Sequence, residues 1–129
     1  MRKQVMVGIL VAAAQICGMS GACAGPWEDG LVAYNRGDYM PAMRLFRPLA
    51  EKGDAKAQNL LGAMYRKGEG VARNSVRAFV WFNRAARNGD TGAKAELRAV
   101  SQTMTPAEIS EAQQMAQACE ATDYRSCEY

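Results

Sequence analysis

"AMRLFRPLAEKGDAKA" (Ala42–Ala57) and "AFVWFNRAARNGDTGA" (Ala78–Ala93) align at a constant offset of 36 residues. Ala42 meets Ala78, Phe46 meets Phe82, Ala50 meets Ala86, Gly53-Asp54 meets Gly89-Asp90, and Ala57 meets Ala93. A third fragment, "AYNRGDYMPA" (Ala33–Ala42), echoes "MYRKGEGVARNSVRA" (Met64–Ala78) with five residues missing from its turn. A period of this length marks an array of supersecondary units, each burying its apolar face against the next, and not a conventional globule.

Each unit reads as two helices. In the first copy Ala42, Leu45, Phe46, Leu49 and Ala50 fall at helical spacing on one face, with Arg44, Arg47 and Lys52 off it. Ala78, Trp81, Phe82, Ala85 and Ala86 form the matching face of the second copy. Gly53 and Gly89 supply the left-handed residue that ends a helix, and Asp54 and Asp90 can cap the next one. Between the copies Ala57, Leu60, Leu61, Met64 and Tyr65 form an apolar stripe, and Gly62 permits a close neighbour. Near the C-terminus "TPAE" places Thr105 as cap, Pro106 at the first helical position and Glu108 where it can close a capping box. The pattern predicts helices over 27–36, 40–52, 55–67, 75–88, 91–101 and 106–120, an all-α chain of about three antiparallel pairs.

The first 24 residues read differently. Arg2 and Lys3 precede an apolar run from Val5 to about Ile16, followed by small residues ending in Ala22-Cys23-Ala24. This is the layout of a cleavable secretory signal, with cleavage expected after Ala24. The run falls short of the roughly 20 residues of a membrane span, so no integral span is expected. A second reading takes Ser20-Gly21-Ala22-Cys23 as a lipoprotein processing site that leaves Cys23 lipidated, although Ser20 stands where a leucine-like side chain is usual.

Removing residues 1–24 takes two of the 16 basic residues and none of the 13 acidic ones; 14 against 13 leaves a net charge of +1. That gives no support to nucleic-acid binding, which calls for a concentrated positive field. Of the four cysteines, Cys119 and Cys127 remain, an even pair suited to an oxidising compartment. On a single helix their sulfurs would stand about 12 Å apart along the axis, so a disulfide requires the chain to turn back through "EATDYRS". Two free thiols in a frayed tail are the alternative.

Catalytic chemistry finds little to work with. The chain has no histidine, and so lacks the commonest general base and metal ligand. Ser75, Ser101, Ser110 and Ser126 are followed three residues on by Ala78, Met104, Gln113 and Tyr129, so no S-x-x-K nucleophile is present among them. "YRKGEGVARNSV" (Tyr65–Val76) has the glycines of a phosphate loop, but Val71 and Ala72 stand where a lysine and a hydroxyl would have to follow Gly70. It reads as a hinge, with Gly68 ending one helix and Asn74 or Ser75 capping the next. No catalytic, metal or cofactor-binding residue is assigned. The remaining candidate surface is a basic face of Arg73, Arg77, Arg84 and Arg87 with Trp81 beside it. Met104 is read as exposed.

"AMRLFRPLAEKGDAKAQNLLGAMYRKGEGV" (Ala42–Val71) and "AFVWFNRAARNGDTGA" (Ala78–Ala93) resemble the Sel-one-like repeat family, relatives of the tetratricopeptide solenoids. The resemblance covers roughly residues 33–97, with a nearly complete central repeat at about 57–93 and atypical end units, and it defines a repeat domain over 25–129. It implies a short α-solenoid that acts as a protein-interaction scaffold, with ligands on the concave helical face. For a bacterial exported member it implies work in the envelope, periplasmic or secreted. The cysteine spacing is similar to that of cysteine-rich exported members, which implies as an alternative an envelope factor for peptidoglycan-like or penicillin-type ligands.

Overall fold

The computed structural model describes residues 25–122. Residues 1–24, where the secretory signal and Cys23 are expected, and Cys127 near the C-terminus lie outside them. Among the described residues the chain forms six helices and no strand: α1 (Pro26–Asn35), α2 (Tyr39–Glu51), α3 (Ala55–Lys67), α4 (Ser75–Arg87), α5 (Thr91–Gln102) and α6 (Pro106–Ala121). These agree with the predicted helices to within a residue or two, and the arrangement is a short α-solenoid.

Three links share one construction: Arg36-Gly37-Asp38, Lys52-Gly53-Asp54 and Asn88-Gly89-Asp90. In each the glycine adopts positive φ (83°, 103° and 98°), which a Cβ would oppose. Each aspartate N–H donates to the carbonyl five residues back, Ala33, Leu49 or Ala85, at 2.9, 3.1 and 2.9 Å. Each glycine N–H donates to the carbonyl three residues back, completing the Schellman pattern that satisfies the last carbonyls of a helix. Asp54 and Asp90 then cap α3 and α5 by accepting from the Ala57 and Ala93 N–H groups, both at 3.0 Å. Asp38 makes no such bond: its ψ of 67° stops short of the extended region seen at Asp54 (110°) and Asp90 (109°).

The α3–α4 link is longer and carries two more positive-φ glycines, Gly68 and Gly70. The link lies against the first helix pair. A Cβ on Gly70 would stand 2.8 Å from the Tyr39 carbonyl carbon, and the Tyr34 hydroxyl donates to Glu69 Oε2 at 2.7 Å. The hinge is therefore also a clasp between repeats.

The core is built by two equivalent phenylalanines. Phe46 of α2 presses on Gly30 of α1, and Phe82 of α4 presses on Gly62 of α3; a Cβ at either glycine would fall 2.6 or 2.7 Å from the ring. Ala42, Ala50, Ala57, Leu61, Met64, Ala78 and Val100 surround them. Helix α4 packs against α3, α5 and α6, which explains why seven of its 13 residues are buried. Helix α6 rests its Ala112, Ala116 and Cys119 stripe mainly on α4, so the third pair departs from the regular arrangement of the first two. Met104, expected to be exposed, is 8% exposed: the α5–α6 link turns it into the core.

Candidate functional site

The basic residues singled out from the sequence do not form one surface. Arg73 and Arg87 are exposed and Arg77 is half-buried. The Arg77 guanidinium lies 5.7 Å from the centroid of the Tyr65 ring, and Arg87 pairs with Glu120 of α6. Arg84 and Trp81 are not open surface, being only 4% and 6% exposed, and Trp81 takes the packing position its place on the apolar face of α4 implies. The Arg84 guanidinium sits 5.2 Å from the Trp81 ring centroid and donates to the Glu51 carbonyl at 3.3 Å. Because α6 covers this side of α4, Arg84 is a buried tie between α4 and the end of α2, and Trp81 is its packing surface. Helical spacing alone could not show that α6 lies there.

A buried glutamine escaped notice in the sequence. Gln58 is fully buried; its Nε2 donates to the Ala50 carbonyl at 2.9 Å and its Oε1 accepts from Asn88 Nδ2 at 2.9 Å. It joins the ends of α2 and α4 through α3. Cys119 is 1% exposed, and no free cysteine stands among the described residues.

A concave feature with an apolar floor lies along α3. An open groove of about 340 Å³ is lined by Trp27 and Leu31 of α1, Lys56, Asn59, Leu60 and Ala63 of α3, Glu96 of α5, and Asp90. Through Lys56 and Asp90 it continues into a second hollow of about 320 Å³ between the starts of α3 and α5. The floor is apolar and the rim polar. Trp27 is fixed from below by Phe46, with ring centroids 5.2 Å apart and planes at 59°. Glu96 pairs with Arg66 at 2.9 Å, and Asp90 Oδ2 accepts from Asn59 Nδ2 at 3.3 Å while its Oδ1 caps α5. These contacts hold the rim side chains in place on rigid helices, a suitable construction for a binding surface.

The signal for this groove was present in the sequence. Lys56, Asn59, Leu60 and Ala63 recur at helical spacing, a second stripe beside the core stripe of α3. Half-buried Leu60 belongs to both, so the stripe merged with the core.

Among the described residues no group of three metal-ligating side chains is assembled, and no helix is long and apolar enough to cross a membrane. A family model described as Sel1 repeat matches residues 55–90. Such repeats are generally non-catalytic modules that mediate protein–protein interaction. A curated relative, the exopolysaccharide production negative regulator of Rhizobium meliloti (strain 1021), is 35% identical over 69 residues, covering 51% of this chain and 26% of the relative. The chain thus aligns with about a quarter of that regulator's length. With α3 and α4 occupying the matched repeat and the glycine-aspartate link to α5 closing it, the chain carries a Sel1-like repeat over residues 55–90.

Proposed function

We propose that this protein is an exported, non-catalytic interaction module that binds a protein partner in the groove along α3. The observation that carries the reading is the groove itself: an apolar floor of Trp27, Leu31, Leu60 and Ala63 inside a polar rim, built on three helices. Apolar floors with polar rims are how protein interfaces combine affinity with orientation. Export rests on the leader, with cleavage after Ala24. Cys119 and Cys127 then form a disulfide that holds the end of α6.

Capture from envelope extract with the processed protein tests the binding. Ala63→Arg should abolish recovery of the partner while the circular dichroism spectrum is unchanged, whereas Arg73→Glu should leave recovery intact. The opposite pattern would move the site to the α3–α4 link, and sedimentation with purified cell wall in the absence of any protein partner would replace the reading altogether. A mass spectrum of the exported protein should show Gly25 at its N-terminus, and a lipidated Cys23 would show anchoring instead.

A further inference from the structure

The charges around the groove are unequally committed. Asp90 uses Oδ1 on the Ala93 N–H at 3.0 Å and Oδ2 on Asn59 at 3.3 Å, and Glu96 is held by Arg66 at 2.9 Å. Lys56 lines both hollows, is exposed, and has no ion pair or hydrogen bond among the described residues. Each Asp90 oxygen already accepts one hydrogen bond and the Glu96 charge is matched by Arg66, which leaves Lys56 as the charged groove side chain with no partner among the described residues. An acidic ligand finds an ammonium already waiting.

The groove also has a ruler. Lys56 and Leu60 are four residues apart on α3, which places them about 6 Å apart along the helix axis at 1.5 Å per residue. In an extended peptide, side chains on one face recur every second residue, about 6.7 Å apart. An apolar side chain over Trp27 and Leu60 therefore places the side chain two residues away beside Lys56.

We infer that the partner enters this groove as an extended segment with an apolar side chain and a carboxylate two residues apart, the apolar group covering Trp27 and Leu60 and the carboxylate meeting Lys56. This rests on the groove being the partner site. The apolar contact supplies most of the affinity, and the exposed ion pair supplies direction and preference.

The test is selection of a random twelve-residue displayed peptide library on the exported, processed protein. Sequences that bind the native protein but not Ala63→Arg should share an aspartate or glutamate two residues from a leucine, isoleucine, phenylalanine or tryptophan. Replacing that acid by its amide in a synthetic peptide should weaken Kd about two- to fivefold, the size expected of one exposed ion pair. Lys56→Gln should erase the difference between acid and amide peptides, and Lys56→Glu should turn selection toward lysine or arginine at the same spacing. Peptides that depend on Ala63 but show no acid preference, or whose acid preference survives Lys56→Gln, would overturn the inference and leave the groove standing. If no selected peptide responds to Ala63→Arg, both fall.

Discussion

Gly62 lies within a regular helix, and the need for glycine there comes from outside the helix. The Phe82 ring occupies the space a methyl group would take, 2.7 Å from an ideal Cβ, and Phe82 is itself fully buried. Neither partner can retreat without opening the core. Gly62→Ala should therefore lower stability by about 1–3 kcal/mol despite the higher helix propensity of alanine, read from the urea midpoint. Tyr34 shows a different kind of coupling. Burial, and then its hydrogen bond to Glu69, push its pKa up to about 12 from an ordinary 10. The folded state thus holds the proton more tightly than the unfolded state. The stabilisation is fully present below pH 10 and is lost as pH rises from 10 through about 12. Tyr34→Phe should be less stable than the native protein at pH 8, and the gap between them should narrow by pH 11.5. A constant gap in urea titrations at the two pH values would show that Tyr34 does not sense the clasp.

Among the helices, α6 depends most on its ends. Its buried stripe is made of small residues, Ala112, Ala116 and Cys119, so packing on α4 involves little apolar area per turn. A full capping box compensates at its start: Glu108 N–H donates to Thr105 Oγ1 at 3.2 Å, and Thr105 N–H donates to Glu108 Oε2 at 2.7 Å. Thr105→Ala should cost about 1 kcal/mol and should raise amide hydrogen exchange in the first turns of α6 before it does so in α3. Caps of this kind were legible in the sequence because they are settled within four residues. The choice of neighbour for α6 was not, because its stripe of small residues suits more than one helix equally well.

In the whole molecule α4 is the hub, reached by α3 through the Phe82–Gly62 contact, by α5 directly, and by α6 through small residues and the Arg87–Glu120 pair. The far end of α6 is where the proposed Cys119–Cys127 disulfide acts. A loop that short limits its contribution to about 2–3 kcal/mol by chain entropy. Reductant should raise the mass by about 2 Da, the two hydrogens of reduced thiols. It should also lower the thermal midpoint, with the earliest loss of structure in α6. An unchanged midpoint with the expected mass gain would show that packing on α4 holds α6 unaided.

The repeat, its helix boundaries, its glycine-aspartate turns and its caps were determined by the sequence alone, because each is a local matter: a left-handed glycine, a carboxylate three residues from an N–H, an apolar stripe at helical spacing. Tertiary structure decided what those stripes touch. Arg84 reads as a solvent-facing cation and is buried because the end of α2 and the Ala116–Glu120 stretch of α6 close over it. Lys56 and Asn59 look like an ordinary helix surface until α1 and α5 stand on either side and turn that surface into a groove. A helix records its own periodicity in its residues, but which of its faces meets water depends on neighbours that are far away in the chain.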